Sequence, residues 1–139
     1  MRGDTIYRTV LLVAVSVLLA TKSAASEKVK DISEENFEDY LDNNNLVVVK
    51  FFANWCPHCV ESEEPYEEAA SLVADSSPDV KMTKMDVDKN AETRKVANEE
   101  RVNQLPSMLL FKDGKNAASY SGDFKNAKDV ADWVKEKSK

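Results

Sequence analysis

Apolar and polar positions divide most of the chain into short elements. Behind Ser33, a favourable helix N-cap, Phe37, Tyr40 and Leu41 recur at helical spacing until Asn43-Asn44-Asn45 closes the segment. Leu46 to Ala53 is apolar except at Lys50, the pattern of a strand buried on both faces, as in a parallel sheet. A helix begins near Cys56 and places Tyr66, Ala69, Ala70 and Val73 on one face before Ser76-Ser77-Pro78 breaks it. Val80 to Val87 alternates in part and predicts the next strand, and Asn90 to about Glu100 predicts a short polar helix. Ser107 to Phe111 is a strand, Asp113-Gly114 a hairpin turn, and Ala117 to Tyr120 the returning strand. The last helix carries Ala127, Val130, Ala131 and Val134 on one face, with Trp133 beside them. The order βαβαβαββα predicts an α/β domain with a mixed sheet sandwiched by helices and right-handed parallel crossovers.

The start of the chain follows another pattern. Arg2 and Arg8 precede an apolar run from Val10 to Ala20, 11 residues broken only by Ser16. Spanning a bilayer takes about 20 residues. A positive start, a short apolar run and the small residues Ser23 and Ala25 predict a secretory signal peptide over 1–25, cut after Ala25. An uncleaved signal anchor is the competing reading. With cleavage, the domain is 26–139, no membrane segment remains, and the protein enters an oxidising compartment. The expected location is the endoplasmic reticulum lumen or the cell exterior.

Composition narrows the function. The 139 residues fit one domain, and 42% hydrophobic with 32% charged residues is a globular mixture, not a disordered one. Acidic residues outnumber basic ones 25 to 19, for a net charge of −6, which argues against nucleic acid as a partner. Two cysteines are too few for a disulfide-rich scaffold or a four-thiolate zinc site.

Both cysteines fall in Cys56-Pro57-His58-Cys59, where a buried strand turns into a helix. A disulfide across two intervening residues closes so small a loop that it stabilises little, and it is better suited to being made and broken. Cys56, at a helix N-terminus, sits where N–H groups and the helix dipole favour a thiolate, the species that attacks disulfides. His58, the only histidine, would add positive charge near Cys56 when protonated. Three other readings stay open: a structural disulfide, a metal site with at most three ligands in Cys56, His58 and Cys59, and a merely solvated His58.

Phe51-Phe52-Ala53-Asn54-Trp55-Cys56-Pro57-His58-Cys59 resembles the active-site segment of the thioredoxin superfamily, and most of all the catalytic domains of protein disulfide isomerases. The resemblance runs from about Val29 to Lys137. It takes in Lys84-Met85-Asp86-Val87-Asp88, Leu105-Pro106-Ser107, Asp113-Gly114 and Tyr120-Ser121-Gly122. It implies a thioredoxin-like three-layer sandwich around a mixed central sheet. It further implies Cys56 as attacking cysteine, Cys59 as resolving cysteine, and Trp55 flanking the site. Pro106 would be a cis-proline that offers the Leu105 backbone to an extended substrate segment.

Four positions depart from that pattern. Lys50 stands six residues before Cys56, where the family usually buries an acid that exchanges a proton with the resolving thiol. Protonated, Lys50 would stabilise thiolate; neutral, it would carry the proton; paired with a carboxylate, it would do neither. Pro57-His58 replaces the usual Gly-His and resembles a strongly oxidising periplasmic enzyme of the superfamily. The helix proline is displaced, with Glu64 in its place and Pro65 next. The arginine that assists the resolving thiol has no clear match, and Lys125 is at best its substitute. Glu61, Glu63, Glu64, Glu67 and Glu68 make the following helix very acidic, a solvated face or one that attracts basic segments.

The expected function is a thiol–disulfide oxidoreductase of protein disulfide isomerase type, working without metal or organic cofactor as a monomer. Its partners would be cysteine-containing proteins or peptides, with glutathione or an upstream oxidase. The alternative is a thioredoxin-fold binding or chaperone module in which the cysteine pair is secondary.

Overall fold

The computed structural model describes residues 28–139, so the expected signal peptide over 1–25 lies outside the described residues. The elements run β1 (Val29–Asp31), α1 (Glu34–Asn43), β2 (Leu46–Phe52), α2 (Pro57–Glu61), α3 (Glu63–Ser76), β3 (Val80–Asp86), α4 (Ala91–Glu99), β4 (Ser107–Lys112), β5 (Lys115–Ser119) and α5 (Ala127–Lys137). Among the described residues, no helix is long and apolar enough to cross a membrane.

The five strands form one mixed sheet in the order β1-β3-β2-β4-β5. β3 runs parallel to β1 and β2, while β4 is antiparallel to both β2 and β5. β2 is the central strand, and Val47, Val48, Val49 and Phe51 are fully buried. Each such side chain contributes about 1.5–3 kcal/mol of burial. Alternation divides the core in two. Val48, Met82, Met108 and Leu110 meet Tyr66, Ala69 and Val73 of α3 and Val130 and Val134 of α5. On the other face, Val47, Val49, Phe51, Leu109 and Phe111 meet Phe37 and Leu41 of α1 and Ala97 of α4.

Local chemistry sets the boundaries. The Ser33 N–H donates to Asn36 Oδ1 at 2.9 Å, and the Thr93 N–H donates to Asn90 Oδ1 at 2.8 Å, so α1 and α4 each start on a side-chain bond. Asp113 and Gly114 have φ of +50° and +78°, the two positive values of a type I′ hairpin turn. That two-residue turn starts β5 at Lys115, two residues earlier than the pattern suggests. The register shifts between Leu110, opposite Ala118, and Phe111, opposite Asn116. The resulting bulge breaks the alternation and hides the early start.

β1, the strand that opens the expected order, has only three residues. One further difference has a physical cause. The single helix expected from Cys56 to Ser76 is two helices that meet at Ser62 (φ −91°, ψ −2°). Pro65 has no N–H to give to the carbonyl of Glu61, and its ring crowds that carbonyl, so the helix breaks just upstream of it.

Candidate active site

The end of β2 delivers the chain to the top of the sheet, and the turn after it sets the cysteines. The Cys56 N–H donates to the carbonyl of Ala53 at 3.2 Å. Cys56 is the N-cap of α2, Pro57 opens the helix at a position that needs no N–H, and the Cys59 N–H donates to Cys56 Sγ at 3.2 Å. Cys56 and Cys59 form a disulfide with their Cα atoms 5.2 Å apart. Both are buried.

The loop before β4 closes over this disulfide. The Leu105–Pro106 peptide bond is cis. Cys56 Sγ lies 3.8 Å from the Leu105 carbonyl oxygen. Leu105 stands between two grooves. One, of about 370 Å³, is lined by His58, Pro106, Tyr120, Gly122 and Phe124. The other, of about 520 Å³, is lined by Trp55, Cys56, Val87, Ala97 and Val102.

Trp55 is 69% exposed, and its indole N–H donates to Asp88 Oδ2 at 2.9 Å. Asp88 also pairs with Arg94 at 3.5 Å. A large apolar ring left in solvent is thus held in one place by its polar edge. The His58 side chain is exposed, with Nδ1 3.4 Å from Glu61 Oε2. Lys125 Nζ lies 3.9 Å from the same oxygen. Lys125 therefore pairs with Glu61 at the surface.

Lys50 points to the α3 side of the sheet and is 3% exposed. Its Nζ donates to the Cys59 carbonyl at 3.4 Å and lies 5.3 Å from the centre of the Tyr66 ring. Burial pulls its pKa down to about 8, against the upward pull of Glu63 and Glu67; Lys84 adds to the lowering. Glu63 and Glu67 lie 3.5 and 4.0 Å from Lys84 Nζ, not from Lys50.

The structure thus brings Trp55, Cys56, Pro57, His58, Cys59, Leu105 and Pro106 together, with Lys50 beneath Cys59. Sequence reasoning named Asp88 and Lys84 only as part of the family-like third strand and gave them no place in the site. Lys84 had a visible signal: like Lys50, it is a lysine inside a strand, four residues into β3 as Lys50 is four into β2.

The Thioredoxin family profile matches residues 28–136. The chain belongs to the thioredoxin family. It is 39% identical over 115 residues to "Protein disulfide-isomerase 1" of Caenorhabditis elegans, covering 83% of this chain and 23% of that protein. It is 34% identical over 134 residues to a Medicago sativa "Protein disulfide-isomerase", covering 94% and 26%. The solution structure of the first thioredoxin domain of mouse Protein disulfide-isomerase A4 has the same fold. Its TM-score is 0.71 at 24% identity, covering 82% of this chain and 78% of that one. The chain spans about a quarter of the length of these curated relatives.

Proposed function

We propose that the chain is a thiol–disulfide oxidoreductase of protein disulfide isomerase type, acting on cysteine-containing proteins or peptides. One observation carries this reading: the Cys56–Cys59 disulfide caps α2 with Cys56 Sγ against the Leu105 carbonyl, where the two grooves meet. A substrate segment laid along Leu105 would bring its own sulfur to Cys56 with side chains on either side.

In the oxidising direction, a substrate thiolate attacks Cys56 Sγ. The Cys56–Cys59 bond breaks, and Cys59 leaves as a thiolate and takes a proton. A second substrate thiolate attacks the substrate sulfur of the mixed disulfide, and Cys56 leaves. The substrate gains a disulfide, and the protein holds two thiols. Glutathione or an upstream oxidase would restore the disulfide. In the reverse direction, Cys56 thiolate attacks a substrate disulfide, and Cys59 then resolves the mixed disulfide. The signal-like start of the sequence and the protein disulfide isomerase relatives support a domain of residues 26–139 working in the endoplasmic reticulum lumen or outside the cell.

Equilibration with defined glutathione buffers and a count of free thiols tests the reading. A potential of about −120 to −180 mV is expected of a disulfide donor or isomerase. A value near about −270 mV would instead make the protein a reductant. Full biological activity in Cys56→Ser would replace the redox reading with that of a binding module.

A further inference from the structure

The end of the sheet away from the disulfide carries another groove. β2 and β3 run parallel, with Phe52 opposite Asp86 at the disulfide end and Leu46 opposite Val80 at the other. The pairing of β1 with β3 begins at Val29, opposite Met82. Val80 and Lys81 therefore lie before the first paired residue of β3 on that side, and beside them opens a groove of about 310 Å³. It shares no lining residue with the two grooves that meet at Leu105. α3 spans the distance between the two ends, and from Glu63 to Ala74 its axis covers about 16 Å.

The lining has two halves. Ala70 and Ala74 of α3, Val80 and Met82 of β3 and the ring of Tyr40 on α1 are apolar. Lys28, Lys30 and Lys81 bring three cations, and no acidic side chain lines the space. Lys30 Nζ lies 5.0 Å from the centre of the Tyr40 ring. Among the described residues, none of the three amines has a carboxylate within 4.0 Å. Lysine stems often lie across apolar surface, but the space left between these is already of the size that takes a small ligand. The chain as a whole carries a net charge of −6, so three cations gathered without an acid reverse the sign locally. Glu63, Glu64, Glu67 and Glu68 lie toward the other end of α3. An anion nearing the molecule is repelled there and drawn to the lysines.

We propose that this groove binds a small carboxylate with an apolar body. The carboxylate meets the lysine amines, and the body lies against Ala74, Val80, Met82 and the Tyr40 ring. Apolar contact supplies the affinity, and the cations fix the orientation and select the sign of the ligand. Neither half suffices: a bare anion leaves the apolar wall uncovered, and a cation with the same body is turned away.

Octanoate is the probe that tests this. Isotope-labelled protein in its disulfide form is titrated with it and followed through the backbone amide NMR signals. The amides of Lys30, Tyr40, Lys81 and Met82 should shift together and saturate. Octylammonium has the same body with the opposite charge and should leave them unmoved. Inorganic phosphate should bind about tenfold more weakly than octanoate, or worse, because the apolar contact is lost. A Lys30→Gln, Lys81→Gln double variant should weaken octanoate about 3- to 30-fold, the size of two exposed charge contacts. Ala74→Glu sets a carboxylate on the exposed wall of the groove and should also weaken it, while leaving the glutathione exchange of the disulfide unchanged. Shifts that fail to saturate, or that gather at Trp55 and Leu105 instead, would overturn the proposal. So would octylammonium or phosphate binding as well as octanoate, or an unchanged affinity in either variant.

Discussion

Lys50 and Lys84 are register partners on neighbouring strands, yet among the described residues only Lys84 has carboxylates within 4.0 Å. Glu63 and Glu67 on α3 pair with the lysine nearer the sheet surface and act on the deeper one only from a distance, too weakly to offset its burial. The consequence for stability has a definite sign. Folding lowers the Lys50 pKa from 10.5 to about 8, so the unfolded chain holds more protons between those values. Stability contributed through this group therefore rises as pH increases from about 8 to 10.5, and below pH 8 the penalty is fully present. The shift corresponds to about 3 kcal/mol at most. Lys50→Met, studied in the disulfide form, should be more stable than wild type by about 1–3 kcal/mol at pH 7. The difference should shrink toward pH 10.5. Denaturant midpoints across that range measure it, and a constant difference would contradict the account.

Glu61 is shared by His58 and Lys125 at the mouth of the site. Its negative charge offsets that of Lys125 where a Cys56 thiolate has to form. Removing it should favour the thiolate. All three side chains are exposed, so the effect is of the 0.2–1 kcal/mol size of surface pairs. Alkylation of Cys56 by iodoacetamide at pH 6 in reduced Glu61→Gln should be about two- to fivefold faster than in wild type. The gain should fade at 1 M salt, where the screening length is about 3 Å. An unchanged rate at low salt would show that the Glu61 charge does not reach the sulfur.

Gly122 has no room for a side chain. A Cβ there would overlap the hydroxyl and ring edge of Tyr120. Tyr120 cannot move freely, because its ring packs edge-on against Phe124 and Trp133, with centroids 5.1 and 5.4 Å away, and its hydroxyl donates to the Asp123 carbonyl. Gly122→Ala should cost about 1–3 kcal/mol, the usual penalty for overpacking. Urea unfolding reads this directly, and a loss below 0.5 kcal/mol on that scale, roughly a neutral surface change, would mean that the loop relaxes easily.

Asn90 ties α4 to α1. Its Oδ1 caps α4, and its Nδ2 donates to Glu34 Oε1 at 2.6 Å, while the other Glu34 oxygen is buried without a partner. Asn90→Ala loses both bonds and should destabilise the fold by about 2 kcal/mol. Asn90→Ser keeps a cap and should recover about 1 kcal/mol of that. Equal losses in the two variants would assign the whole effect to Glu34.

Much of the architecture was readable from patterns that a single element can show. The β2 run, the Tyr66–Val73 face of α3 and the Val130–Val134 face of α5 each depend on neighbours within one segment. The break at Ser62 was half readable, since Pro65 announces it but the exact turn depends on which carbonyl the ring crowds. The state of Lys50 was not readable at all. Three fates were open to it, and the choice among them turns on β2–β3 register and on Glu63 and Glu67 reaching Lys84 across α3. The direction of His58 has the same character. It is decided by Glu61 one helical turn away and by Lys125 from beyond β5.

The edges of the sheet carry a consequence for how the molecule meets other chains. β1 offers three residues, and β5 pairs with β4 through a bulge and carries Lys115 at its start. Short, bulged and charged edges are poor templates for another strand. A protein proposed to handle incompletely folded chains meets many sticky strands, and each flat edge would invite adhesion at the wrong place. On the proposed reading, the backbone at Leu105 beside the disulfide would be the docking place, and edges of this kind would limit pairing of an extended partner segment elsewhere on the sheet.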